Sequence, residues 1–250
     1  SPPMTLLLVM LHTGTMFAVI VYFWPQWRSA YFQSAPAFRH FATLVVIATA
    51  CTAVIGEVII KIIEKTALRG VPHAEIEDLF SHLEFIAPAL AAAGLLIVIA
   101  GIFARRRATR ADAETNDVNM KQAALIGAVQ GLCLPFRGFS RSGATISTGL
   151  LLGVAKGRAE AFSFALAVVL TPPVVAREAL RLMYAARING TADLTSATAA
   201  SLLGAVVAFL AGLVALRWLS RWLEGGRWYL FGIYCLVAAL AVTVLYRAGY

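Results

Sequence analysis

From Met4 to Trp24 this chain carries no Asp, Glu, Lys or Arg, and comparable apolar runs recur along it: Phe41 to Ile63, Glu84 to Phe103, Ala161 to Ala176 with its flanks, Ala199 to Leu216, and Trp228 to Tyr246. Runs of about 20 such residues match the width of a bilayer's hydrocarbon core. Backbone donors and acceptors placed there must find partners within the segment or around a closed barrel, and runs this long and this continuously apolar predict helices. The chain is 60% hydrophobic and 14% charged, beyond the range of ordinary soluble domains. The expectation is an all-α polytopic membrane protein with six transmembrane helices, forming a single integral membrane domain over 1–250 with no soluble domain. A net charge of +8 does not imply nucleic acid, because the basic residues sit in short loops between apolar runs, where they set membrane orientation.

Those loops give a sidedness. Arg105, Arg106, Arg107 and Arg110, diluted by Asp112, Glu114 and Asp117, mark the loop after the third run as cytoplasmic. Lys65 to Ser81, with Glu75, Glu77 and Asp78, then lies outside, and the Arg28/Arg39 loop inside. Lys156 and Arg158, and later Arg217, Arg221 and Arg227, also fall inside, provided that the segment 122–155 enters and leaves by the same face. Pro25 is expected to end the first helix, Tyr22, Trp24 and Trp27 to form its interfacial belt, and Pro172 and Pro173 to break and kink the fourth. Gly204, Ala208 and Gly212 make a small-residue stripe suited to close helix contact. Glu57 and Lys61, four apart, read either as a local ion pair or as a functional carboxylate within a span. Cys51, Cys133 and Cys235 are isolated and read as small buried hydrophobes. His40, His73 and His82 fall in or near loops and form no metal-binding pair.

The segment 122–155 is different in kind. Ala123 to Leu134 and Ala144 to Ala155 are each about 18 Å long as helices, too short to cross about 30 Å of hydrocarbon. The polar stretch Gly138 to Gly153, GFSRSGATISTGLLLG, begins between them and runs into the second. A re-entrant helical hairpin follows, and non-helical backbone at membrane depth is tolerated only where it is enclosed in protein or lines a wet cavity. Ser140, Arg141 and Ser142 precede Gly143, after which Ala144 and Thr145 start the second half-helix. Helix-start N–H groups, hydroxyls, a glycine that admits a ligand and a fixed cation together suit an anion, phosphate best. The plainer reading has Ser140 or Ser142 capping the helix while Arg141 snorkels or pairs with a carboxylate. The stretch is neither a phosphate-binding loop of the G-x-x-x-x-G-K type nor a G-x-S-x-G nucleophile elbow.

GFSRSGATISTGLLLG, with Glu160, Phe162, Ser163 and Phe164 after it and Gly127 and Gln130 before it, resembles the second signature of the undecaprenyl pyrophosphate phosphatases, the bacitracin-resistance proteins. A weaker likeness surrounds His12 in LHTGTMFAVIVYFW. The resemblance implies a multi-pass hydrolase of the bacterial cytoplasmic membrane that removes the terminal phosphate of undecaprenyl pyrophosphate, regenerating the lipid carrier for peptidoglycan and other envelope polymers. It implies that Arg141 and Ser140 act in catalysis and that Ser142, Gly143 and Thr145 bind phosphate, with His12, Gln130 and Arg137 as further candidates. Arg137 stands in a stretch about one residue longer than the family's, where a second cation either binds phosphate or faces the lipid surface.

The resemblance also implies a divalent cation, Mg or Ca, with no ligands evident in this sequence, and as partners the polyprenyl pyrophosphate, membrane lipids and a second copy in a homodimer. An inverted-topology repeat is expected, about 4–103 and about 120–247, which places a matching Glu-rich hairpin ahead of Met4. The opening Ser1-Pro2-Pro3 is read as a trimmed start, and without that hairpin's carboxylates the chain is expected to be inactive. The competing reading is a transporter or flippase of an anionic lipid or solute, since inverted repeats meeting at broken helices are also a transporter architecture. A site-free membrane partner protein leaves the polar knot unexplained.

Overall fold

The computed structural model describes residues 2–66, 83–109, 117–189 and 194–248. The expected acidic loop, with Glu75, Glu77, Asp78, His73 and His82, and the stretch with Arg110, Asp112 and Glu114 lie outside the described residues. What is described is helical: α1 (Pro2–Tyr31), α2 (Ala35–Thr66), α3 (Leu83–Thr109), α4 (Met120–Cys133), α5 (Arg141–Leu151), α6 (Lys156–Asn189), α7 (Leu194–Glu224) and α8 (Trp228–Arg247). Six of them contain stretches long and apolar enough to cross a bilayer: Met4–Tyr31, Ala35–Ile63, Ile86–Arg107, Lys156–Arg177, Thr198–Glu224 and Trp228–Arg247. The chain is an all-α, multi-pass membrane protein.

Prolines mark the helices less sharply than expected. Pro25 lies inside α1, which runs on to Tyr31, and Pro172 and Pro173 lie inside α6 rather than dividing it. Pro172 and Pro173 take the helical N–H donors from the Val168 and Val169 carbonyls, and beside them Thr171 donates its hydroxyl to the Ala167 carbonyl at 2.7 Å. Trp27 does not join an outer belt. It is buried, stacked on Phe23 at 5.8 Å, while Trp24 stays exposed. Glu57 and Lys61 form the simple i, i+4 pair at 3.2 Å, both side chains largely exposed. Cys133 and Cys235 are buried and Cys51 partly so.

The chain divides into two compact units. The first comprises Ser1–Ala37 and Phe164–Arg221. Within it the stripe on α7 does what its spacing predicts: a Cβ at Gly204 would meet Leu7 of α1 at 3.1 Å, and one at Gly212 would meet Ala18 at 2.9 Å. Phe164 stacks on Phe23 at 4.9 Å between ring centres. The second unit comprises Phe38–Ser163 and Trp222–Tyr250 and holds the polar stretch. There α3 packs along α8, and α5 packs against both α3 and α4. Gly94 and Gly232 face each other across the α3–α8 contact so closely that a Cβ on either would strike the other's carbonyl, at 2.9 and 2.7 Å. Small residues replace the hydrophobic effect as the means of bringing helices together in lipid.

Candidate anion site

The two short helices form a hairpin whose open end is tied shut. Asn119 caps α4 by accepting the Gln122 N–H at 2.9 Å, and the Gln122 side-chain oxygen accepts the Asn119 N–H at 2.9 Å, a reciprocal capping box. The same Gln122 side chain donates through Nε2 to the Leu152 carbonyl at 3.1 Å, joining the start of α4 to the end of α5. With 14 and 11 residues, the helices are about 21 Å and 16 Å long, shorter than the hydrocarbon core.

Against α2, α4 lies at backbone contact. A Cβ at Gly127 would collide with the Ala48 carbonyl oxygen. Thr52 fills the seam, its hydroxyl within reach of the Ala48 and Gly127 carbonyls at 2.8 and 2.9 Å. Gln130 donates through Nε2 to Thr52 Oγ1 at 3.1 Å. Gln130 is fully buried, and its Oε1 finds no hydrogen-bond partner among the described residues.

The turn folds through Phe136 N–H to Cys133 O and Phe139 N–H to Phe136 O. Gly138 takes φ of 94°, a conformation that side-chain-bearing residues avoid, and lies against Ile86 of α3. Arg137 is exposed beside it. Then Ser140 caps α5, accepting the Gly143 N–H at 3.1 Å, and the helix proper begins at Arg141, three residues earlier than expected. The capping reading of Ser140 is therefore correct as far as it goes. It does not use up the residue, since a hydroxyl that accepts one bond still has a proton to donate.

Ser140, Arg141 and Ser142 come together, half-buried, at the N-terminus of α5. Among the described residues no hydrogen bond or ion pair holds the Arg141 guanidinium. The Gly143 and Ala144 N–H groups go to Ser140, which leaves those of Arg141 and Ser142 as the open donors of the first turn. Gly143 is buried because Ile97 of α3 occupies the space a side chain would need. Thr145 is turned inward: 1% exposed, with Oγ1 2.6 Å from Ser163 Oγ of α6. It holds α5 to α6 and forms the floor of the cluster. His12 sits in the first unit, exposed on α1, its Nδ1 2.9 Å from the Leu8 carbonyl one turn back. Among the described residues no three of His, Cys, Asp and Glu gather, so these residues by themselves do not make a ligand set for a divalent cation.

Four side chains that organise the cluster escape a reading by local pattern. Thr52 and Ser163 are lone hydroxyls inside apolar runs. Trp228 donates its Nε1 proton to Ser147 at 3.0 Å. Arg107, in the last turn of α3, donates to the Leu150 carbonyl at 3.3 Å, at the C-terminal end of α5.

The chain matches the family described as "Bacitracin resistance protein BacA" over residues 1–241. It belongs to that family. It is 52% identical over 248 residues to a protein of Acinetobacter baylyi named "Undecaprenyl-diphosphatase 2", covering 98% of this chain and 85% of the relative. Burkholderia orbicola has an "Undecaprenyl-diphosphatase 2" that is 32% identical over 251 residues, 96% of this chain and 80% of the relative. The "Undecaprenyl-diphosphatase 1" of Burkholderia pseudomallei is likewise 32% identical, over 249 residues, with the same shares covered. Membership in the BacA family gives the open cation and N–H groups at the head of α5 a chemical context.

Proposed function

We propose that this chain is an undecaprenyl-diphosphatase of the bacterial cytoplasmic membrane, hydrolysing undecaprenyl pyrophosphate to undecaprenyl phosphate and inorganic phosphate and so returning the lipid carrier to the synthesis of cell-wall polymers. Two things support the reading: the names of its relatives and the Arg141 guanidinium, which has no hydrogen-bond or ion-pair partner among the described residues, at a helix N-terminus. The second carries the most weight. A cation in the first turn faces the positive end of the helix dipole, an unfavourable place unless an anion comes to lie between the two. In this reading the α4–α5 hairpin dips into the membrane from one face, and the two halves of the chain are related as inverted repeats.

The reaction breaks the bridging P–O bond, joins a water oxygen to the terminal phosphorus, and leaves the bridging oxygen and its electron pair on the lipid phosphate. Arg141 would lay its fork across two oxygens of the terminal phosphoryl group. The open Arg141 and Ser142 N–H groups and the Ser140 and Ser142 hydroxyls would bind the remaining oxygens. As negative charge redistributes toward the leaving bridge oxygen, donors fixed by the α5 backbone need no reorganisation. Residues 138–145 contain no carboxylate or imidazole, so this cluster stabilises charge and does not supply the base for water.

The test is phosphate release from undecaprenyl pyrophosphate by the purified full-length protein in detergent. Stoichiometric release of inorganic phosphate, with lipid monophosphate as the other product, is expected. Movement of the intact lipid across proteoliposomes with no phosphate released would overturn the proposal in favour of transport.

A further inference from the structure

Away from the head of α5, three loops meet. The end of α3, the start of α6 and the α7–α8 turn border an open recess of about 530 Å³ lined by Arg105, Lys156, Glu224, Arg227 and Tyr229. Gly226 makes the turn, with φ of 68°, and a Cβ there would sit 4.0 Å from Lys156 Nζ, so the turn backbone forms one wall beside that ammonium. Next to it, sharing Arg105 and Tyr229, lies a second cavity of about 470 Å³ reaching Ile102 and Arg106. All of these residues belong to the second unit.

The pair of cavities is amphipathic. The first gathers three cations against one carboxylate, and among the described residues none of Arg105, Lys156 and Arg227 is held in an ion pair. The second extends along α3 past Ile102, which is 40% exposed where the apolar run of α3 gives way to Arg105, Arg106 and Arg107. These are the loops that the distribution of Arg and Lys assigns to one membrane face, the level at which lipid phosphates lie. A cationic recess opening beside an apolar helix surface at headgroup level is the geometry that binds acidic lipids between transmembrane helices. Glu224 adds an acceptor for a headgroup hydroxyl.

We propose that this recess is a binding site for an anionic phospholipid, its phosphodiester held by Arg105, Lys156 and Arg227 and its chain lying along α3 past Tyr229 and Ile102. It is a separate site from the cluster at Arg141 and needs none of that cluster's residues.

Native mass spectrometry of the full-length protein titrated with dioleoylphosphatidylglycerol, dioleoylphosphatidylcholine or inorganic phosphate tests it. Phosphatidylglycerol should bind in preference to phosphatidylcholine, equally on the unmodified protein and on Arg141→Ala. The combined Arg105→Gln, Lys156→Gln and Arg227→Gln protein should bind it on the order of a hundredfold more weakly, and Arg105→Lys with Arg227→Lys should hold it nearly as well as the unmodified protein. Unchanged binding by the triple variant would overturn the proposal. So would equal retention of phosphatidylcholine, or displacement of the lipid by equimolar inorganic phosphate, which would mark a free-anion site instead.

Discussion

Replacing Arg141 separates a residue that serves a ligand from one that serves the fold. Its guanidinium has no hydrogen bond or ion pair among the described residues, so Arg141→Ala breaks no protein contact of that kind. Ala and Arg are similar in helix propensity, and taking a cation out of the first turn of α5 relieves about 0.3–1 kcal/mol of dipole repulsion. The apparent melting temperature in detergent should hold or rise slightly. Activity should move the other way. Two charge-assisted bonds to phosphate oxygens, at about 1.5–3 kcal/mol each, amount to about 3–6 kcal/mol. At about 1.4 kcal/mol per decade, kcat/KM falls on the order of a hundredfold to ten-thousandfold. Arg141→Lys keeps the charge but not the fork, and an intermediate loss of about tenfold to a hundredfold follows. Phosphate release and thermal unfolding measured on the same preparations decide the matter. Turnover of Arg141→Ala within threefold of the unmodified protein, or activity and melting temperature falling together, would refute the reasoning.

The remaining predictions probe what surrounds that cation. Ser140→Ala removes the N-cap of α5 and should cost about 1 kcal/mol of stability while also lowering phosphate release; a lowered melting temperature with full turnover would reduce Ser140 to a cap alone. Gly127→Val drives a side chain into the Ala48 carbonyl and should destabilise the protein by at least about 1–3 kcal/mol, visible as earlier thermal unfolding. A terminal phosphoryl group carries about −1.5 to −2 at neutral pH, more than Arg141 balances, so with the divalent cation that the resemblance implies, EDTA should stop phosphate release and added Mg or Ca restore it; undiminished turnover in EDTA would overturn that expectation. Single cysteines introduced at Asn119 and Ala155 in a cysteine-free protein should react with an impermeant thiol reagent from the same membrane face, and labelling from opposite faces would exclude re-entry.

How much of this could be read in the sequence depended on whether the controlling force was local. The spans were legible because hydropathy is summed along the chain, and the two half-length helices because polar residues interrupt the apolar pattern after about a dozen residues. Glu57 with Lys61, and the stripe on α7, were legible because helical periodicity puts their partners at fixed offsets. Pro25 misled because a proline near a helix end removes one donor yet leaves neighbouring structure free to continue the helix. Thr145 was assigned to phosphate by the resemblance alone; its contact with Ser163, a hydroxyl on a different helix, is visible only in the structure. Thr52 and Gln130 meet across 78 positions, and no pattern within either segment could announce it.

The asymmetry of α5 is the strongest internal argument for which of its ends works. A short helix enclosed by its neighbours must dispose of unpaired N–H groups at one end and unpaired carbonyls at the other. At the C-terminal end the protein does so itself: Arg107 donates to Leu150 O, the N–H of Gly153 to the same carbonyl, that of Leu152 to Thr148 O, and Gln122 to Leu152 O. A cation and an amide donor there match both the orphan acceptors and the negative end of the dipole. The N-terminal end is finished differently. Ser140 takes a single N–H with its side chain, two more stay open, and the nearest charge has the sign that the dipole repels. Had selection acted only on folding, an Asp or Glu in place of Arg141 would have met those donors at lower free energy. The head of α5 is left short of negative charge, and under the proposed function the pyrophosphate of the lipid would supply it.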